Sequence, residues 1–280
     1  MGRSLPGDPV LVLVSGSKIR FLRRELGPDA ENVSFADMAE VGANPGRIIA
    51  AWVAFVQANA GASQMWGIGE PVHSRRLPAE LAECHLHEVL LNVAFDASTP
   101  LWLLCPYDLE ALAGDVIDGA HRTHLFAAWG EDRQACSTFR PIDLADPFAR
   151  PLPARPADAA YLAFQSGGLG PVRTFVAERT RQAGLDQEPA RAIVRAVNEI
   201  AANSLRHVGG QGELRAWTDN RSLICEVSDY GHITSPLAGR LPPTPMPRPE
   251  PVSGSPTSSA TACRSTLGPV AAQIRLHQNL

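Results

Sequence analysis

Glu199, Asn203 and His207 recur at intervals of four in Val194-Arg-Ala-Val-Asn-Glu-Ile-Ala-Ala-Asn-Ser-Leu-Arg-His207, and Ser228-Asp-Tyr-Gly231 follows some twenty residues later. On a helix this spacing sets a carboxylate, an amide and an imidazole along one slowly drifting stripe. A carboxylate one turn from an amide can orient Mg²⁺ and a nucleophile, which is most of what phosphoryl transfer asks of a protein. The later Asp-x-Gly turn can accept a hydrogen bond from the amino group of a base. The competing reading is an amphipathic helix with a solvated polar edge. Glu199 alone fits that second reading; the paired motifs and the strand leading into Asp229 favour the first.

The pattern Glu-x3-Asn-x3-His followed by Asp-x-Gly resembles the N box and first glycine box of the ATPase superfamily that includes histidine kinases, gyrase B and heat-shock chaperones. The surrounding run from Ala192 to Gly210 is most similar to the branch of anti-sigma regulatory factors that act as serine kinases. The resemblance implies that ATP and Mg²⁺ are cofactors. Asn203 would bind the Mg²⁺ and Glu199 would polarise the attacking hydroxyl. Asp229 would accept the adenine amino group, with Gly231 letting the backbone approach the base. His207 and Arg206 are weaker candidates for phosphate or lid contacts. For His207, a helix-terminal imidazole interacting with the C-terminal helix dipole is an equal alternative.

The elements that must position these residues can be read around them. Ala160 to Phe164 reads as a short strand and Gly170 to Ala183 as a helix. Asp186 can cap the next helix, with Glu188 and Pro189 in its first turn and Gly209-Gly210 at its end. On that helix Ile193, Val197, Ile200, Ala201 and Ser204 face one way, beside the polar stripe. Gly212 to Thr218 and Ser222 to Ser228 read as a hairpin turning at Asp219-Asn220, with Leu223, Cys225 and Val227 inward. Strand, two helices and a hairpin are the order of the α/β sandwich that the resemblance implies.

Upstream, the run Pro9 to Val14 has the aliphatic continuity of a strand buried on both faces of a parallel sheet. A helix over Lys18 to Leu26, a strand over Val33 to Asp37, a helix over Pro45 to Ala60, a strand over Gln64 to Gly69, a helix over Pro78 to Phe95 and the run Leu101 to Cys105 follow. This alternation predicts an open, Rossmann-like α/β layer. The landmarks Asp37 to Ile49, Gly67 to Pro71, Glu83 to Asn92 and Leu104 to Asp108 resemble the MEDS sensory domain over roughly residues 8 to 125. Members of that family carry a further strand and helix ahead of the first apolar run, so an edge of this sheet is expected to be incomplete and exposed. Five prolines between Pro141 and Pro156 read as a stiff linker.

The fold class expected is therefore two-domain α/β. A sensory layer spans 1–140, a linker 141–157, and a histidine-kinase-type ATPase sandwich 158–280, incomplete in its C-terminal part. A length of 280 residues with 45% hydrophobic content suffices for two cores. The net charge of −4 disfavours nucleic acid or an anionic membrane as a bulk partner. No run approaches a membrane span, and five scattered cysteines without a Cys-x2-Cys pair indicate neither a disulfide framework nor a structural zinc site. A reducing cytoplasm is the expected compartment. Ser166-Gly-Gly-Leu-Gly170 lacks a Walker lysine and Ser15-Gly-Ser-Lys18 lacks the glycine spacing, so both read as turns. There is no Gly-x-Ser-x-Gly elbow for a hydrolase. Cys84, His87 and Glu88 could converge on a metal, but with no fourth ligand at metal-site spacing a partly buried helix face is preferred, and a sensory ligand contact comes second.

The pattern breaks after Arg240. The family expectation is a lid and a second glycine box opening a phosphate-gripping helix. The chain instead runs through Pro251-Val-Ser-Gly-Ser-Pro-Thr-Ser-Ser-Ala-Thr-Ala262 without helical period. Shifted by one base, codons for Ser255 to Thr261 can encode Leu-Ala-Asn-Gln-Leu-Cys-Asp, which resembles the missing helix; a local frameshift over 254–272 is the hypothesis. Gln273 to His277 then reads as a closing strand. The expected partners are a sigma factor, an anti-sigma-factor antagonist, a small ligand at the sensory domain and a second copy of the chain. The alternative is a catalytically inactive binding protein built on a degenerate ATPase fold.

Overall fold

The computed structural model describes residues 7–130, 132–140, 152–207, 210–219, 221–231, 235–241, 261–267 and 272–280, with backbone only for His207 and for 261–267. The linker expected over 141–157 therefore lies largely outside the described residues, as does most of 254–272. The chain forms two compact units, Met1–Asp143 with Gly239–Pro242, and Leu144–Ala238 with Pro243–Leu280.

The first unit runs β1 (Val10–Val14), α1 (Gly16–Leu26), β2 (Val33–Asp37), α2 (Met38–Val41), α3 (Ile48–Ala58), β3 (Met65–Gly69), α4 (Pro78–Ala94), β4 (Leu101–Leu104), α5 (Gly114–Thr123), β5 (Phe126–Trp129) and β6 (Asp132–Ala135). Its main sheet is four-stranded and parallel, in the order β2-β1-β3-β4. The aliphatic run of β1 sits at its centre, which is why nearly all of its residues are buried. The sheet's edges are β2 and β4. On β4, Trp102 and Leu104 remain 43% and 53% exposed. Trp52 of α3 lies against β3 where only glycine leaves room. A Cβ on Gly67 or Gly69 would come within 2.8 Å of the indole ring. Leu11, Leu13, Met38, Ile48 and Trp52 make one core cluster on that side of the sheet.

Helix α4 departs from the expected half-buried face. Cys84, His87 and Glu88 are 0%, 1% and 3% exposed, and Glu83, also buried, pairs with Arg240 Nη2 at 2.7 Å within the same unit. Burial, and next the charge of Arg240, pull the His87 pKa down to about 3, so its ring is neutral. Cys84 donates its thiol to the Pro71 carbonyl at 3.3 Å. Helix α5 and the β5–β6 hairpin had no counterpart in the sequence reading.

The second unit comprises β7 (Ala160–Gln165), α6 (Leu169–Gln182), α7 (Gln187–His207), β8 (Gln211–Thr218), β9 (Ser222–Asp229), β10 (Thr261–Leu267) and β11 (Ala272–Asn279). An antiparallel sheet in the order β10-β11-β9-β8-β7 packs against the two helices. Phe164, Val172, Val176, Ile193, Val197, Ala201, Leu214, Leu223, Cys225, Val227 and Leu276 form the core between the layers. The inward set on β9 is as expected, but the strand is buried on its other face as well. There Glu226, 1% exposed, accepts from Arg275 of β11 through Nε at 3.1 Å and through Nη2, and from Arg155 Nη1 at 3.2 Å. Residues 261–267 form a strand paired antiparallel with β11, and the helix expected from Ser255 to Thr261 lies, but for its last residue, outside the described residues.

Candidate functional site

The site is built on α7 and the end of β9. Helix α7 begins at Gln187, where the Asp186 carbonyl accepts the first turn's bond from Ala190 N at 3.0 Å. Its apolar residues recur with helical period, so Ile193, Val197 and Ala201 lie in the core and Ile200 packs at its margin. The remaining stripe is turned outward: Glu199, Asn203 and Arg206 are all exposed. Glu199 and Asn203 have no hydrogen bond or ion pair among the described residues, which leaves a carboxylate and an amide one turn apart and unengaged. His207 is the last residue of α7, and its side chain lies outside the described residues.

Asp229 closes β9 and is half-buried. Its Oδ1 accepts from Gly231 N at 2.8 Å, which folds the Asp-x-Gly segment into a tight turn and leaves Tyr230 68% exposed. Its Oδ2 accepts from the hydroxyl of Ser204, which is 1% exposed and whose Oγ also lies 3.2 Å from the Ile200 carbonyl. Ser204 is the residue after Asn203. The bond from Ser204 to Asp229 thus ties the helix that carries Glu199 and Asn203 to the strand end that carries Asp229. A carboxylate has about four acceptor positions, so an oriented Asp229 with two donors still has capacity for an amino group.

Ser204 was read from the sequence as a core-facing position and not as part of the site. A hydroxyl on a buried helix face must find a partner, and that requirement is the signal by which Ser204 could have been found.

These residues can be tested against Mg-ATP. The adenine end fits: an acceptor is fixed at the end of a strand, with the small Gly231 beside it. The metal end fits as well, since an exposed amide and carboxylate stand together on α7. For the triphosphate the described residues offer less. Residues 242–260, where the resemblance puts the glycine box and the helix N-terminus that would supply anion-binding amides, carry no Gly-x-Gly-Leu segment in sequence and lie outside the described residues.

Residues 5–125 match the MEDS family, the methanogen/methylotroph DcmR sensory domain. Residues 163–257 match the histidine kinase-like ATPase domain, a match that stops short of β10. No curated protein matches the chain. No helix among the described residues is long and apolar enough to cross a membrane. A sensory domain joined to a kinase-like ATPase domain is the architecture of a signal-responsive regulator, and domains of the second kind bind ATP with Mg²⁺ in general. The chain carries a MEDS sensory domain at residues 5–125 followed by a histidine kinase-like ATPase domain at residues 163–257.

Proposed function

We propose that the protein is a regulator of the anti-sigma-factor serine/threonine kinase type, in which a small ligand at the sensory domain governs how the ATPase domain engages its partners. The partners are a sigma factor and an antagonist protein bearing a Ser or Thr acceptor, and the output is control of transcription. The observation that supports this reading is the Ser204–Asp229 bond, which joins the strand end carrying Asp229 to the helix carrying Glu199 and Asn203.

In this reading Asn203 holds Mg²⁺ through its side-chain oxygen and Asp229 accepts the amino group of adenine. Glu199 takes the proton of the attacking hydroxyl, so a neutral acceptor becomes a competent nucleophile. Bound Mg-ATP supplies the phosphoryl group to be transferred. With the glycine box that grips the triphosphate missing from the sequence, nucleotide affinity is weakened. That same gap favours a second reading, in which the domain docks partners or a second copy of the chain without transferring phosphate.

Isothermal titration with Mg-ATP should give a dissociation constant weaker than micromolar, and micromolar binding would overturn the weakened-site part of the proposal. Radiolabel transfer from ATP to antagonist proteins captured from the host separates the readings. Label on a Ser or Thr of the antagonist, lost in Glu199→Gln, supports the kinase. Capture of the antagonist with no transfer supports the docking protein, and capture of neither antagonist nor sigma factor refutes both. Resequencing the gene across codons 254–272 tests the frameshift, since a clean read in the present frame excludes a sequencing error.

A further inference from the structure

We infer that the sensory domain holds a transition-metal ion, of which Zn²⁺ is the best fit, on Glu88, Cys105 and His124. These side chains come from three separate places: the middle of α4, the residue after β4, and the residue after α5. Their potential ligand atoms all lie within 4.8 Å of one another. A tetrahedral zinc centre with bonds of about 2.0–2.3 Å has ligand-to-ligand edges of roughly 3.5 Å, so the three need close by only about an ångström to share one ion. A thiolate, an imidazole and a carboxylate together suit Zn²⁺ and disfavour the hard ions Mg²⁺ and Ca²⁺.

The surroundings support a ligand role and not merely a buried polar cluster. Glu88 is 3% exposed and accepts from the hydroxyls of Tyr107 and Thr123; no Lys or Arg pairs with it among the described residues. A carboxylate so deeply buried is stable when a cation compensates it. The His124 ring is held from behind: its Nδ1 lies 2.9 Å from the Ala120 carbonyl and 3.1 Å from the Thr123 hydroxyl, and the tautomer that bonds the carbonyl carries its proton on Nδ1. In that tautomer Nε2 is the nitrogen left to a cation. A backbone carbonyl on the far nitrogen is the usual support for a metal-ligating imidazole, and the hydroxyl of Tyr107 does the corresponding job for Glu88. Cys105 follows the carboxyl end of a parallel strand, the edge at which open α/β sheets bind their ligands.

Three protein ligands leave one position of a tetrahedron open. That position suits a small donor such as water, a thiol or an alkoxide, which gives the sensory domain a chemical means of detecting a small polar or sulfur-bearing molecule.

The test uses the full, untagged chain stripped with chelator. Titration with Co²⁺ should reach saturation at one equivalent, with a thiolate-to-metal absorption in the near ultraviolet that Zn²⁺ abolishes. Cys105→Ser should lose that absorption. Glu88→Gln and His124→Gln should each weaken Zn²⁺ binding by about 100-fold or more, as loss of a ligand outweighs loss of a supporting group. Cys136→Ser, whose backbone bonds the Leu125 carbonyl next to His124 but whose thiol is not in the cluster, should leave the absorption in place. If a variant fails to fold, the wild-type chain still decides: Zn²⁺ should shield Cys105 from alkylation while Cys136 reacts as before. Absence of saturable binding by the wild-type chain overturns the proposal, as does a thiolate band that survives Cys105→Ser or a Cys105 alkylated equally with and without Zn²⁺.

Discussion

Replacing Glu226 by Gln tests how the ATPase sheet is held together. Glu226 and Arg275 face each other across β9 and β11 in register, at 1% and 6% side-chain exposure. Removing one member of a buried pair costs about 3–5 kcal/mol, because the other charge is left uncompensated. Two features place this case near the lower end. The Arg275 guanidinium keeps two bonds of 3.1 Å to the Pro153 carbonyl, and Gln retains one acceptor oxygen for Nε. Arg155, 42% exposed, regains water and adds under about 1 kcal/mol. The expected loss is about 3 kcal/mol, which is roughly a 100-fold rise in amide exchange of β9 and β11 where exchange follows unfolding of the second unit. Hydrogen exchange read by mass spectrometry resolves those peptides from the first unit's. The paired variant Glu226→Leu with Arg275→Met should recover most of the loss, since an apolar pair of similar volume replaces a buried ion pair at little cost. A rise of less than tenfold for Glu226→Gln, or a paired variant no better than the single one, would refute the reasoning.

Three further outcomes follow from the geometry. Gly67→Ala should destabilise the first unit by about 1–3 kcal/mol, because its Cβ would meet Trp52 at 2.8 Å and Leu103 at 2.9 Å; an unchanged melting temperature in near-ultraviolet dichroism would contradict the packing. Peptide-mapped alkylation at pH 8 should label Cys136 well before Cys84 and Cys225, whose buried thiols are pushed up to about 12, and prompt labelling of Cys225 would count against the core described for β9. Partial burial, then the charge of Arg76, lowers the pKa of His73, so its NMR titration should have a midpoint below 6.5. The sign for stability is that the contribution is fully present above 6.5 and is lost as the pH falls through the folded midpoint; a midpoint above 6.5 would reverse it.

Much of the architecture was written in local pattern. The continuous aliphatic run of β1 announced a doubly covered strand, and the period of Ile193, Val197 and Ala201 fixed both the helix and the outward turn of Glu199 and Asn203. What escaped is what depends on distant partners. Glu226 looked like the solvent side of an alternating strand, yet Arg275, 49 residues away, covers it. The spacing of Cys84, His87 and Glu88 correctly put them on one helix, but Cys84 turns to Pro71 while Glu88 meets Cys105 and His124, and no periodicity reports such meetings. The β5–β6 hairpin was missed because β6 is exposed along its whole length and so lacks hydrophobic alternation. Gly130, at a φ of 60°, was its one local mark.

The stack of Arg275 over Trp217, 4.9 Å from guanidinium carbon to ring centroid, has an optical consequence. Of the five tryptophans in the chain, Trp52, Trp66, Trp102 and Trp129 belong to the first unit and Trp217 alone to the second. Its emission is therefore the sole indole signal of the ATPase unit, and it comes from a ring held against the cation that joins β9 to β11. With the other four replaced by Phe, the colour and intensity of that one fluorophore would follow the fastening of the sheet in real time, without any added label.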